Sequence, residues 1–391
     1  MKKALVIISI LVMISRQSVI SMPVNDTTVY LITCGPGIET YSIYGHSALR
    51  VVIPAQNLDI VYNWGVFDFD APNFAWNFAK GRLDYMVVQQ RTSSFLQEYF
   101  TDQRYVLSQK INLTASEMQK LLELVNVNML PQNRKYKYDF FYDNCSTRIR
   151  DLLEKSVGKL LNYPTPEPGN PPTFRKLIGE CQAQYPWYKF GVDLLVGSPA
   201  EKKAHFRDRM FLPIEMKNCL SEASVQRSGK MVPLLQNPEV MADFPTPSVK
   251  QHFFISPPSV FTLLIIIIMV LGGVIKNLKV LRYIDIFLFT IFTILAVFMI
   301  FFNFFTDHVQ CRWNLNIIWL NPVIAVCLVM LILNKPGVVW FRLLFYITAF
   351  FLVCHYIMPQ YFNVSSLLLG FILLVRSSVR AEFSWNPLTK R

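Results

Sequence analysis

The chain has 391 residues, 52% of them hydrophobic and 14% aromatic, and a formal net charge of +12. That length accommodates two domains, and that apolar content is too high for an ordinary soluble protein. The apolar excess lies after residue 255, and the basic residues form no Lys/Arg run or nucleic-acid motif. A nucleic-acid partner is therefore excluded, and the basicity is read as attraction to anionic headgroups and as loop charge beside membrane spans.

The first 21 residues read as a secretory signal, with Lys2 and Lys3 before an apolar stretch at 4–14 and a cut expected before Met22. The alternative is an uncleaved anchor, for which the apolar stretch is short. Next comes a strand at 29–33 ending in Cys34-Gly35-Pro36-Gly37. Residues 46–53 and 59–64 then read as a hairpin around Pro54-Ala55-Gln56-Asn57. With Ile53 opposite Leu58, His46 faces Gly65 and Asn63 becomes its diagonal neighbour on the same face. A slip of one residue would separate the two.

A short helix is expected over 72–80, stopped by Gly81, then a strand over 83–88. A helix capped by Ser93 or Ser94 runs to about residue 100, and a strand follows over 104–113. Thr114-Ala115-Ser116-Glu117 is a capping box that opens a helix ending before Pro131. Asp143 or Asn144 caps a helix over 145–157, with Ile149, Leu152, Leu153 and Val157 as its apolar stripe. A proline-rich loop at 163–172 precedes helical spacing over 173–211, and 221–257 reads as a polar linker. The exported domain is thus expected to be α+β, a largely antiparallel sheet flanked by helices.

Five spans are expected, at about 259–275, 283–302, 315–333, 339–357 and 361–375. Lys276, Lys279, Arg282, Lys335, Arg342, Arg376 and Arg380 sit in alternate loops and the tail, whereas the loops between hold Arg312 alone. The positive-inside rule puts the C-terminus in the cytoplasm and the N-terminal domain outside. The expected organisation is a signal peptide (1–21), an exported thiol-enzyme domain (22–220), a linker (221–257), an all-α membrane domain (258–376) and a tail (377–391).

Candidate chemistry centres on Cys145 and His46. A thiol attacks as its thiolate, and a helix N-terminus and a nearby imidazole both lower its pKa. The Cys145 N–H stands where an oxyanion would develop. Asn63 is the candidate to orient the imidazole, with Asp68 in reserve. The plainer alternative is a small buried cysteine and a satisfied strand histidine. Of the five histidines, only His205 competes with His46 as the base. Seven cysteines show no CxxC pair or Cys/His cluster, so no metal or other cofactor is expected. Cys181 and Cys219 are as open to a disulfide as to remaining free. Cys34 stands either as a second functional thiol or as a structural one. Asp307 and His308, at the outer end of the second span, stand either as lipid or amine ligands or as a satisfied loop pair. Together with Cys34, Asp307 and His308, Tyr44 and Asn144 complete the candidate substrate- or lipid-binding residues.

Gly45-His46-Ser47-Ala48-Leu49-Arg50-Val51, followed a hundred residues later by Asn144-Cys145-Ser146-Thr147, resembles the circularly permuted papain-like (NlpC-type) thiol enzymes, to which lecithin:retinol acyltransferase is related. Thr33-Cys34-Gly35-Pro36-Gly37, Tyr62-Asn63-Trp64-Gly65-Val66-Phe67-Asp68-Phe69, Gly191-Val192-Asp193-Leu194-Leu195 and Met210-Phe211-Leu212-Pro213 widen the likeness. So do Asp307-His308, Asn314-Leu315-Asn316 and Trp319-Leu320-Asn321-Pro322 in the membrane region. Over nearly its whole length the chain resembles the Lnb-type lipoprotein N-acyltransferases. The resemblance implies a bacterial inner-membrane enzyme with a periplasmic thiol domain. Its Cys145 would take an acyl chain from a phospholipid donor as a thioester and pass it to the α-amino group of a diacylated lipoprotein, with His46 moving protons. The same residues would suit a thiol peptidase or amidase acting on cell-wall peptide, and the fold alone would suit a non-catalytic lipid-binding scaffold.

Overall fold

The computed structural model describes residues 26–165, 167, 169–250 and 252–383. The expected signal peptide and the end of the tail, from residue 384, lie outside them. Strands β1 (Thr28–Cys34), β2 (His46–Ile53) and β3 (Leu58–Val66) form an antiparallel meander. Its second hairpin has the register expected from the sequence, Ile53 opposite Leu58 through Leu49 opposite Tyr62. Asn57, at φ 50°, supplies the left-handed residue that the tight connection needs.

After helix α1 (Phe74–Ala79) comes β4 (Asp84–Arg91), which pairs with β3, and then α2 (Thr92–Thr101). Neither Ser93 nor Ser94 caps α2. The cap position is Arg91 without a side-chain bond, and the Thr92 hydroxyl donates instead to Asp59 at 2.5 Å. Strand β5 (Val106–Lys110) pairs with β1, and α3 (Ala115–Met129) begins at the expected Thr114–Glu117 capping box. A short β6 (Lys135–Lys137) adds to the far side of β4.

Helix α4 (Cys145–Val157) has the bounds and the buried stripe that its periodicity predicts. It lies with α3 on one face of the sheet, over Leu31, Leu49, Val51, Tyr62 and Trp64. Helix α2 covers the other face over Ile32, Cys34, Ala48 and Val61. Strand β7 (Leu161–Asn162) precedes the helices α5 (Phe174–Cys181), α6 (Pro186–Leu195), α7 (Phe206–Arg209) and α8 (Pro213–Glu222).

The expected linker over 221–257 is corrected in its first half. It holds β8 (Ser224–Arg227), β9 (Lys230–Pro233) and β10 (Glu239–Ala242). The first two form a small sheet in the order β7-β8-β9, and β10 completes the main sheet, whose order is β10-β5-β1-β2-β3-β4-β6. Strands of four residues, interrupted by proline, carry too little periodicity to be read from sequence; only pairing to β5 reveals the last of them.

The apolar third folds into α9 (Pro257–Val274), α10 (Leu278–Phe304), α11 (Val323–Ile332), α12 (Val338–Cys354) and α13 (Val364–Arg380). Among the described residues four segments are long and apolar enough to cross a membrane: Pro257–Val274, Leu278–Phe304, Leu315–Ile332 and Val338–Ile357. The third is broken at Asn321-Pro322, where Pro322 is the cap residue of α11 and Asn321 Oδ1 accepts the Val323 N–H at 3.0 Å. Helix α13, the fifth span expected from sequence, has 17 residues and packs against α12 and α9.

The two parts interlock through buried polar groups. Asn314 donates to the carbonyls of Leu194 and Leu195 at 2.8 and 2.9 Å, and Asn316 to Leu194 at 3.1 Å. Asp193 accepts from Asn363 at 2.9 Å and from Lys189 at 3.0 Å. Arg175, 4% exposed on its side chain, ties Glu201 at 2.5 Å and the Val196 carbonyl at 2.6 Å to the same knot. Removing one member of a buried ion cluster leaves the others unpaired and costs about 3–5 kcal/mol. Arg175→Met is accordingly expected to lower the unfolding midpoint of the detergent-solubilised protein by many degrees. An unchanged midpoint would show that the knot contributes nothing to the union of the two parts.

Candidate active site

Cys145 occupies the first position of α4, and its location follows from the cap before it. Asn144 Oδ1 accepts the N–H groups of Ser146 and Thr147 at 2.9 Å each. Its amide donates to the carbonyls of Phe140 and Phe211 at 2.8 and 2.9 Å. All of its polar capacity is taken by the fold, so Asn144 positions the thiol and is not free to bind substrate. Of the two cap candidates the structure uses Asn144; Asp143 pairs instead with Arg148 at 2.6 Å.

His46 is the first residue of β2, directly after Gly45 at φ +80°. A Cβ on Gly45 would stand 2.8 Å from the Cys34 carbonyl, so only glycine lets the chain turn here into the strand. His46 Nε2 donates to Asn63 Oδ1 at 2.6 Å, the diagonal contact that the hairpin register dictates. This leaves the other ring nitrogen for Cys145, to which His46 is electrostatically coupled. The Ser146 hydroxyl donates to Ser47 Oγ at 3.1 Å, fastening α4 to β2.

The electrostatics of the pair follow from these contacts. Burial pushes the Cys145 thiol up, but the imidazole charge, its hydrogen bond, the Ser47 N–H and the Ser146 hydroxyl together pull it below the ordinary value. Burial lowers His46, but the thiolate, its hydrogen bond and Asn63 raise it above the ordinary value. The lowered thiol and the raised imidazole both favour passage of the Cys145 proton toward His46. The N-terminus of α4 favours the negative partner as well.

Residues with no motif of their own complete the surroundings. Gly65, at φ +93°, lies where the β3–β4 register shifts. A Cβ there would be 3.8 Å from Cys145 Cβ, 3.5 Å from the Tyr138 ring and 3.9 Å from the Tyr136 hydroxyl. That hydroxyl is buried and has no hydrogen-bond partner. Burial, and next the Cys145 charge, hold the Tyr136 phenol well above its usual range, so it remains an O–H donor. Its ring is stacked under the Arg148 guanidinium at 3.5 Å. The hairpin register could have found Gly65, which faces His46. The alternation of Tyr136 and Tyr138 signals a strand and nothing more.

The other candidates have different partners. Cys34 pairs with His46 in the β1–β2 ladder but is wholly buried. Burial pushes its thiol up to about 12 against a hydrogen bond to Tyr99, so it holds no thiolate at neutral pH and is a core residue. Tyr44 accepts from Gln182 at 2.8 Å and meets the Tyr188 hydroxyl at 3.1 Å. It also lines a cavity of about 270 Å³ with Ile43, Cys181, Tyr185, Leu212 and Ile214. Asp307 pairs with Arg82 at 2.8 Å, and His308 Nε2 donates to the Phe78 carbonyl at 3.0 Å. Both join the membrane part to the α1–β4 turn.

Asp68 is exposed and accepts from the Asp70 N–H at 2.9 Å. His205 is exposed and paired with Glu167 at 2.8 Å. Cys181 and Cys219 are both free thiols, and Cys219 donates to the Phe206 carbonyl at 3.5 Å. No group of three or more metal-ligating side chains occurs among the described residues.

One contact from the membrane part does reach the site. Gln310 donates to Asp139 Oδ1 at 2.5 Å, and the same oxygen accepts the N–H groups of Phe141 and Tyr142 at 2.9 Å. Asp139 and Asp143 exchange two backbone bonds. A loop between membrane helices thus grips the turn that delivers Cys145.

Cys145 is expected to react with iodoacetamide at a lower pH than an ordinary thiol does. His46→Ala removes the lowering charge, so the reactivity of Cys145 should shift to higher pH, read by mass spectrometry of the alkylated peptide. Equal profiles in both proteins would disprove the coupling of the two groups.

Comparison with known proteins bears on the same two regions. Residues 19–178 match the family described as Lnb N-terminal periplasmic domain, and residues 249–384 match the one described as Lnb transmembrane domain. Neither the curated proteins nor the solved structures hold a significant match. With both matches in this order, the chain is a membrane protein of the Lnb family, an α+β periplasmic domain followed by a helical transmembrane domain.

Proposed function

We propose that this chain is a cysteine-dependent lipoprotein N-acyltransferase of a bacterial inner membrane, with a permuted papain-like site facing the periplasmic leaflet and the C-terminus in the cytoplasm. The observation that carries the reading is the Cys145–His46–Asn63 constellation in a domain clamped to a membrane bundle, with Gln310 of that bundle holding the turn before the thiol. Aromatic groups at the seam support a bilayer-surface position. Trp76 packs on Phe301 with ring centroids 5.7 Å apart, and Trp187 on Phe261 at 5.7 Å. Phe253, Phe254 and Ile255 are exposed just before α9.

In this reading the Cys145 thiolate attacks an ester carbonyl of a phospholipid, forming a C–S bond. The C–O bond breaks as the lysophospholipid alkoxide takes the proton of the His46 imidazolium. The second half uses the same groups in reverse. The α-amino group of a diacylated lipoprotein attacks the thioester, a C–N bond replaces C–S, and the amine proton passes to His46. Asn63 positions the ring throughout. The developing oxyanion is met by the Cys145 N–H and by the Tyr136 hydroxyl, an O–H otherwise left without a partner. Both substrates are held in a bilayer, so the bundle supplies orientation that a soluble thiol enzyme lacks. The cavity beside Tyr44 offers apolar walls to part of an acyl chain.

Cys145→Ser and His46→Ala are each expected to reduce N-terminal acylation of lipoproteins to background, measured by mass spectrometry of their N-terminal peptides. Wild-type protein incubated with phospholipid should carry an acyl mass on Cys145 that hydroxylamine removes. Retained acylation in either variant would sink the reading, and release of cell-wall peptides by the wild type in its place would make the protein a peptidase or amidase. Tyr136→Phe should lower the rate of thioester formation by about 10²–10³-fold, the usual effect of losing one oxyanion donor.

A further inference from the structure

The bundle holds a second polar site at its opposite end. Helix α10 starts there and runs 27 residues to the thiol domain, a distance of about 40 Å. A cavity of about 530 Å³ opens between α10, α11 and α13, and Arg282, Lys335, Arg376 and Arg380 all line it. Two carboxylates belong to this region. Asp285, wholly buried, is already paired with Arg376 Nε and Arg380 Nε, both at 2.7 Å. Glu382 stands among the lining residues. Four cations against two carboxylates leave an excess of two positive charges.

That excess is not dispersed into solvent. Arg376 is 3% exposed, and its Nη2 is buried without a hydrogen-bond partner. Arg282 uses Nε on the Leu331 carbonyl at 3.0 Å, at the end of α11, and meets no carboxylate. Lys335 lines the same cavity, and the described ion pairs there, Arg376 and Arg380 with Asp285, do not include it. A buried guanidinium N–H without an acceptor is costly, and oxygen-rich anions are what arginine forks bind best. Leu278, Leu281 and Phe341 give the same cavity an apolar side.

We propose that this cavity binds a phosphate group, presented by an anionic phospholipid of the leaflet remote from the thiol domain or free in solution. The phosphate oxygens would accept from Arg376 Nη2 and face Arg282 and Lys335, and a lipid's glycerol and first methylenes would lie along Leu278 and Leu281. The site is separate from the thiol chemistry and stands whether or not the acyltransfer reading holds.

The test uses the full chain in a non-ionic detergent, with thermal unfolding and native mass spectrometry as readouts. Dioleoyl-phosphatidylglycerol, dioleoyl-phosphatidylcholine and inorganic phosphate are titrated separately. Phosphatidylglycerol should bind and raise the midpoint, phosphatidylcholine should not, and Arg282→Gln/Lys335→Gln should weaken phosphatidylglycerol roughly 30-fold, the effect of two membrane-surface cations. These two side chains lie outside the Asp285 cluster, so the double variant retains that buried ion pairing. If inorganic phosphate binds the wild type and not the double variant, the phosphate chemistry stands with the free anion as its source. No binding of either probe, or equal binding by wild type and variant, overturns the proposal.

Discussion

A thiol that is 5% exposed keeps its proton unless something stronger than desolvation removes it. Here the imidazole of His46 draws the thiol below its ordinary value, and the rest of the exported domain is arranged to keep the two groups together. The thiol comes from the start of a helix and the imidazole from the start of a strand, so their meeting depends on how α4 is laid on the sheet. Three local devices secure it. Asn144 satisfies the first turn of α4, the Ser146–Ser47 hydroxyl bond joins helix to strand, and Gly45 allows the turn that brings His46 into line. None is a reacting group, and each has its polar atoms or its backbone committed to geometry.

The bundle is more than an anchor for that arrangement. A loop from its middle reaches the turn before Cys145 through Gln310, and its buried asparagines take up carbonyls at the end of α6 that would otherwise be stranded between the two parts. Buried polar contacts of this kind add little net stability, but leaving them unmade is expensive, so they specify one docking over others. Chemistry on bilayer-held groups needs the thiol at a constant height and angle, and such a joint provides it. Asp307 and His308 belong to this joint.

The two ends of the bundle differ in charge logic. At the thiol end, exposed aromatic groups meet the seam and carboxylates are balanced by partners. At the far end, an excess of arginine and lysine surrounds one buried carboxylate. The loop charges from which the positive-inside rule gives the expected orientation are in part the same groups that line the far cavity.

Much of this was legible in one dimension. Periodicity placed α4 to the residue, the capping box opened α3, and Pro54 to Asn57 between two apolar runs set the register that puts Asn63 beside His46. These succeed because helix caps and hairpin turns are local, and a two-residue strand period carries a register across a tight turn. The same locality explains the failures. The strands in 221–257 are too short to show a period and exist because β5 and β7 have free edges to pair. Cys34 reads as either a functional or a structural thiol, and α2 covering that face of the sheet decides for the core group. The partnerless Tyr136 hydroxyl and the hold of Gln310 on Asp139 join residues far apart in the chain. By itself the sequence determined which residue types could do thiol chemistry, on which elements they stand and that a membrane lies next to them. The tertiary structure alone decided which of the buried polar groups are satisfied, because satisfaction depends on partners that no local pattern encodes.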